Sequence, residues 1–237
     1  MKPSGFKTLP FPARGLIVLF AAAGVASIAL ALWYQSLFSA TRLGFLPFLA
    51  AMSARYKAKV YRETTISFLT SVVMIGVITD EPAVSMLAAI CGVTIQTLLP
   101  SKKLVLYRLI FNAGMIALTV TATWWTHRVV ATANHFLDGT SSEIAAAILA
   151  SFVYFLGNST FVALIISTTQ RISILDIWGQ HFMYSAPSFV TAGLLACGLV
   201  GLMGEHVVVP IALTLSISIT YYCAIRRAAQ QAVASPS

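Results

Sequence analysis

Acidic residues are scarce here. Seven Asp and Glu serve 237 residues, and charged side chains of both signs make up 9% of the chain, against about a quarter in an ordinary soluble domain. So few charges cannot cover a water-facing surface, which excludes a soluble globular domain and makes a bilayer the natural solvent. Cysteine is scarce as well. Cys91, Cys197 and Cys223 lie inside apolar runs without CxxC spacing, which leaves no disulfide framework or thiolate metal site and makes them small buried hydrophobes. The patterns GxSxG, HExxH and the phosphate-cradling P-loop are missing, and no apolar run carries a pair of acids. His127 and His135 share a polar stretch but lack further ligands at metal spacing. Neither a catalytic activity, a metal nor a cofactor is expected. The lack of intramembrane acids also removes the residues that a proton-coupled transporter commonly uses.

What is present is apolar. Hydrophobic residues make up 58% of the sequence and the mean hydropathy is +0.86. The clearest run, residues 104–125 (LVLYRLIFNAGMIALTVTATWW), follows Lys102 and Lys103 and ends in Trp124 and Trp125. Basic entry, sufficient length and aromatic exit read as a transmembrane helix whose N-terminus is cytoplasmic and whose tryptophans sit in an interfacial belt. Further runs cover residues 15–38, 64–79, 83–99, 144–168, 182–203 and 207–225. Residues 43–54, shorter and interrupted by Pro47, complete an expected all-α polytopic bundle of about eight spans, or seven if that segment does not cross. Residues 1–14 form a cytoplasmic leader, residues 15–227 the transmembrane domain and residues 228–237 a cytoplasmic tail. The run from residue 15 extends past Ala21-Ala22-Ala23, further than a cleaved signal would. Residues 126–143 are expected as a loop, and residues 171–180 (RISILDIWGQ) as a helix lying in the interface.

The net charge of +8 does not indicate nucleic acid, because the basic residues sit between the apolar runs. With the N-terminus inside and eight alternating spans, thirteen of the fifteen basic residues fall on the cytoplasmic side, as the positive-inside rule requires. Only Arg42 and Arg128 fall outside. Both termini are then cytoplasmic, and the chain belongs in a bacterial inner membrane with the lipid bilayer as its principal partner.

The informative polar residues are those inside the spans. Asn112 and Asn158 sit at mid-span, where an unpaired amide is costly. They either bridge helices or line a ligand cavity. Arg108, with Tyr107 beside it, lies near a helix start and either snorkels to the headgroups or turns inward to meet an anion. His181 and Tyr184, with Gln180, flank the start of a helix that Pro187 is expected to kink, opening space for a pocket. Tyr107, Arg108, Asn112, Asn158, His181 and Tyr184 form the candidate ligand-binding set. The small residues Gly193, Cys197, Gly198, Gly201 and Gly204 read as a close-packing surface.

The strings YRLIFNAGM (107–115) and YFLGNSTFVAL (154–164), in a chain that also holds TISF (65–68) and ends a final pair of spans in Tyr-Tyr and Arg-Arg, resemble the multi-spanning membrane region of bacterial signalling proteins that carry HD-GYP or GGDEF domains. The resemblance implies a membrane sensor or anchor that signals to a cytoplasmic partner. The chain ends ten residues after Arg227, so the output activity of those proteins is not implied with it. The alternative expectation, from a different class, is a substrate-binding membrane subunit of a small-molecule transporter. Oligomeric state is not legible.

The charge distribution makes a direct prediction. A fluorescent protein fused after Arg227 should be bright and alkaline phosphatase at the same site inactive. The opposite pattern would overturn the cytoplasmic assignment of the C-terminus.

Overall fold

The computed structural model describes residues 6–35, 40–54, 57–61, 64–67, 69–98, 105–133 and 139–203. The expected span at residues 207–225 and His135 lie outside the described residues. The elements in order are α1 (Phe11–Tyr34), α2 (Ala40–Ser53), β1 (Lys57–Tyr61), β2 (Thr64–Ser67), α3 (Leu69–Ile78), α4 (Pro82–Leu98), α5 (Leu106–Ala133), α6 (Gly139–Gln170), α7 (Ile174–His181) and α8 (Ala186–Met203). The chain is a helical bundle with one small antiparallel hairpin, β1–β2, in which Lys57 pairs with Ser67 and Lys59 with Thr65.

Among the described residues three helices are long and apolar enough to cross a membrane: α1, α5 and α6. The pair α7 and α8, bent by 61° at the break between them, makes a fourth if counted as one broken span. The expected eight full spans are therefore not what the helix lengths give. At 1.5 Å per residue, the ten residues of α3 reach only about 15 Å, half of a hydrocarbon core of about 30 Å. The apolar run at residues 64–79 looked long because its first four residues are uncharged and three of them, Thr64, Thr65 and Ile66, are β-branched. Those residues, TTIS, form strand β2 instead, where β-branched side chains fit.

Packing sets the directions of the helices. Gly24 of α1 meets Gly114 of α5, Phe20 meets Phe111 and Tyr34 meets Trp124, so α1 and α5 run parallel. Gly157 meets Thr119, and His127 faces Glu143, so α6 runs antiparallel to α5. The first turns of α1 and α5 and the end of α6 thus share one end of the bundle, which brings Arg14, Arg108 and Arg171 together as a basic end. The turn between α3 and α4 lies at the opposite end, beside Trp124 and Arg128.

The core is centred on α3, in which every residue from Leu69 to Val77 is buried. It packs on α4, α8, α2 and α5. A short helix with no polar face is stable only when neighbours surround it, and the longer helices supply that enclosure. Met74, Ile75, Val73 and Val77 join Val84, Ile116 and Val120 in the fully buried centre.

Two further expectations need correction. The α5 helix continues to Ala133, so His127 and Arg128 lie on a helix and not in a loop. The reason is periodic burial: Met115, Ile116, Thr119, Val120, Thr123, Trp124 and His127 all face inward, and a histidine occupying an inward position reads as polar loop in the sequence. Pro187 does not kink α8 but stands in its first turn, where no backbone N–H is needed. The bend precedes it, at the 3₁₀ turn Met183–Ser185. The small-residue run behaves unevenly. A Cβ on Gly193 would strike the Ser151 side chain, whereas Gly198 and Gly201 have nothing within 4 Å.

The α1–α5 contact is the tightest test of this packing. A Cβ on Gly114 would collide with the Phe20 carbonyl, lying 2.7 Å from its carbon, and one on Gly24 would lie 2.5 Å from Gly114 Cα. Backbone cannot rotate away as a side chain does. Gly114→Ala is expected to cost about 1–3 kcal/mol, read as unfolding in detergent. Gly15→Ala, with nothing within 4 Å, should not destabilise. Equal behaviour of the two variants would refute the close approach.

Candidate ligand cavity at the basic end

The cavity begins with the way α1 starts. Pro10 and Pro12 flank its first residue and need no hydrogen-bond partners for their nitrogens. The preceding 3₁₀ turn Phe6–Thr8 folds beside α5, with the Phe6 and Tyr107 rings 6.2 Å apart. Deeper in the bundle the glycine contact draws α1 and α5 together. Between these two points α1, α5 and α6 enclose a cavity of about 550 Å³, within the roughly 300–1,000 Å³ of ordinary ligand sites.

Its wall is amphipathic. Ile17, Phe111, Val162, Ile165 and Ile166 supply apolar surface, while Tyr107, Arg108, Asn112, Thr169 and Gln170 supply polar groups. Phe20, one turn beyond Ile17, packs on Phe111 at 5.3 Å and on Phe161 at 4.7 Å between ring centroids. This aromatic cluster lies on the deep side. The lining contains Arg108 and no acid.

Three of the six candidate residues therefore meet in one place: Tyr107, Arg108 and Asn112. They are spaced along the first turns of α5, and helical geometry alone sets 108 and 112 on one face. Arg108 is exposed at the rim, and no other described residue holds its guanidinium by an ion pair or hydrogen bond. Asn112 is half-buried and donates from Nδ2 to Thr97 Oγ1 of α4 at 2.9 Å. That bond uses one amide hydrogen and leaves the other hydrogen and the carbonyl oxygen.

The other three candidates lie elsewhere. Asn158 is half-buried one turn before Val162, outside the cavity lining, with no side-chain hydrogen bond to a described residue. His181 closes α7 and lines a second cavity of about 510 Å³ with Asp176, Gln180 and Phe182. That cavity shares Ile166 and Gln170 with the first. Tyr184 lies in the 3₁₀ turn Met183–Ser185. The α7 helix, the expected interfacial helix, exposes Leu175, buries Ile177 and is tied to α6 by Trp178 Nε1 donating to Ser159 Oγ at 2.9 Å.

The opposite end holds a polar knot that the sequence reading passed over as a turn. After α3 the chain makes a Schellman closure: Glu81 N–H bonds the Gly76 carbonyl at 3.0 Å and Asp80 N–H the Val77 carbonyl at 3.2 Å. Asp80 carries the left-handed φ of 56° that this closure needs. Its carboxylate accepts from Trp124 Nε1 at 2.7 Å and faces Arg128 at 3.5 Å. Glu81 pairs with Arg42 of α2, and Gln35 Oε1 accepts the Ala83 N–H at 3.1 Å, capping the start of α4. Trp124 is consequently buried and not in an interfacial belt, while Trp125 next to it is half exposed. His127 Nε2 stands 3.4 Å from Glu143 Oε2, within Coulomb range but without a hydrogen bond. Among the described residues no group of three or more His, Cys, Asp or Glu could hold a metal ion.

Sequence reasoning found the α5 half of the cavity and missed the α6 half, although the spacing of Val162, Ile165, Ile166 and Thr169 is a helical face. It missed Thr97 altogether, because a partner across the α4–α5 turn leaves no local signal. No known protein family, curated protein or solved structure matches the chain.

The knot predicts an ordering of variants. Asp80→Asn retains an acceptor for Trp124 and tolerates positive φ. Asp80→Ala leaves a buried indole N–H unsatisfied and should cost about 1–3 kcal/mol more than Asp80→Asn. Both are measured as unfolding in detergent, and equal destabilisation would show that the indole bond contributes nothing.

Proposed function

We propose that this chain is a bacterial inner-membrane input module. It binds a small molecule in the cavity formed by α1, α5 and α6 and relays occupancy to a cytoplasmic partner, with both termini on the cytoplasmic side and no catalytic activity of its own. The observation that carries this reading is that the first of the two sequence strings resembling the membrane region of HD-GYP and GGDEF signalling proteins lines one wall of that cavity, and the second reaches it at one residue. Tyr107, Arg108, Phe111 and Asn112 come from the first string, and Val162 from the second. Other positions in the strings have packing roles: Gly114 admits α1, Gly157 admits Thr119, and Ser159 receives Trp178. The strings thus supply the α5 side of the lining, one residue of the α6 side and several of the contacts between helices.

The cytoplasmic placement rests on charge. Arg14, Arg108 and Arg171 lie at one end of the bundle, the end that the positive-inside rule assigns to the cytoplasm.

The test is a thermal-shift screen of the purified protein against metabolites and lipids. A ligand at a hundredfold excess over its dissociation constant stabilises the native state by about 2.7 kcal/mol. Val162→Trp, which fills the cavity, and Asn112→Leu should abolish the shift. Asn158→Leu, outside the lining, should leave it intact. A hit that survives Val162→Trp and Asn112→Leu would place the site elsewhere.

A further inference from the structure

We infer that the ligand of the basic-end cavity is an anionic amphiphile: a single apolar chain carrying a phosphate or similar anionic head. This rests on the cavity being the ligand site, and it deepens that reading by naming the chemistry.

Three features of the wall point the same way. Its charge has one sign. Arg108 is the lone ionic residue of the lining, and no other described residue holds its guanidinium by an ion pair or hydrogen bond. A guanidinium presents a planar fork of donors that matches phosphate and carboxylate oxygens. Arg14 of α1 is not part of the lining; its guanidinium stands 6.0 Å from the centre of the Phe11 ring. At the far end, by contrast, Arg42 and Arg128 both face carboxylates.

The inner part of the wall is mostly apolar. Thr8, Arg108, Thr169 and Gln170 lie toward the basic end, with Leu9 and Pro10 beside them. Ile17, Phe111, Val162 and Ile165 continue inward, with Asn112 as the one polar lining residue at that depth, to the Phe20–Phe161 contact. A small hydrophilic anion would leave this inner surface without a partner. A neutral apolar molecule would leave Arg108 unanswered. A chain with an anionic head satisfies both.

The third feature is location. The cavity is lined by Thr8, Leu9 and Pro10 before α1, by Ile17 of α1, and by α5 and α6; among the described residues α1, α5 and α6 are the helices long and apolar enough to cross a membrane, and the rim lies at the ends of those helices. An amphiphile in the adjoining leaflet would have its head at the level of Arg108 and its chain pointing inward, the orientation that the wall requires.

The experiment is native mass spectrometry of the full chain released from a neutral detergent, with adducts counted at equal concentrations of four probes: dodecyl phosphate, dodecylphosphocholine, glycerol phosphate and inorganic phosphate. Dodecyl phosphate should be retained at least about tenfold better than dodecylphosphocholine, the scale of a charge-assisted hydrogen bond. Glycerol phosphate and inorganic phosphate should give no adduct. Arg108→Gln should bring the ratio of the two dodecyl probes close to one, while Arg128→Gln, which removes an arginine at the opposite end of the bundle, should leave it unchanged. Val162→Trp should remove both dodecyl adducts, with Ile165→Phe as the milder filling variant should the first not fold.

If the two dodecyl probes bind equally and Val162→Trp removes both, the cavity remains the site and the anionic assignment fails. If inorganic phosphate alone binds through Arg108, the site is a phosphate site and the amphiphile is wrong. If neither filling variant alters any adduct, the cavity reading itself fails.

Discussion

The turn between α3 and α4 is the constraint on which the rest of the bundle depends. Two short helices, of which α3 is buried from Leu69 to Val77, reverse direction at one end of the bundle. Two of the seven acids, Asp80 and Glu81, stand at that turn. Asp80 adopts the left-handed conformation that closes α3, and its carboxylate then faces outward to receive Trp124 and Arg128. Glu81 receives Arg42, and Gln35 satisfies the first free N–H of α4. One turn is thereby tied to α1, α2 and α5. Unsatisfied backbone groups in hydrocarbon cost several kcal/mol each; here the Gly76 and Val77 carbonyls are answered by the closure of α3 and the Ala83 N–H by Gln35.

The same knot explains the exceptions to the charge pattern. Arg42 and Arg128 are the two basic residues that the positive-inside reading left on the far side. Each now faces a carboxylate of the turn, so neither needs an anionic leaflet or the cytoplasm to be accommodated. A rule that counts basic residues along the chain sees them as noise. Their pairing involves residues 39 and 48 positions away in sequence, a separation at which no local pattern gives warning.

Much of the architecture was legible because burial in a bilayer and burial in a helix bundle select the same residues. Apolar runs and basic punctuation locate α1, α5, α6 and α8 directly. What was not legible came from places where the two kinds of burial part company. Residues 64–79 are apolar enough for a span, yet their first four residues pair with β1 and only ten become helix. His127 is polar in sequence but occupies an inward position of α5, so the helix runs on past the expected loop. Trp124 was expected in an interfacial belt and is instead buried by an acceptor that lies 44 positions back. The candidate site divides in the same manner. Tyr107, Arg108 and Asn112 share a helical face that spacing alone reveals. Asn158 lies one turn short of the α6 residues that complete the cavity, a distinction set by the offset between antiparallel helices and invisible in either helix alone.

The two ends of the bundle use opposite electrostatic solutions, and this asymmetry bears on function. At the turn end, cations and carboxylates meet within the protein, so the region is internally neutralised and contributes to stability. At the basic end Arg108 stands at the rim of an apolar cavity with no acid in the lining. A protein that needed this arginine only for topology could leave it on the lipid-facing side of α5, where the headgroups would accommodate it. Placing it beside Asn112 and above Phe111 instead keeps the cation next to a cavity whose apolar depth has no use in orienting a helix. The glycine contact between α1 and α5 brings their backbones together deeper in the bundle than Arg108 and Phe111, so the cavity lies on the side of that contact that faces the basic end.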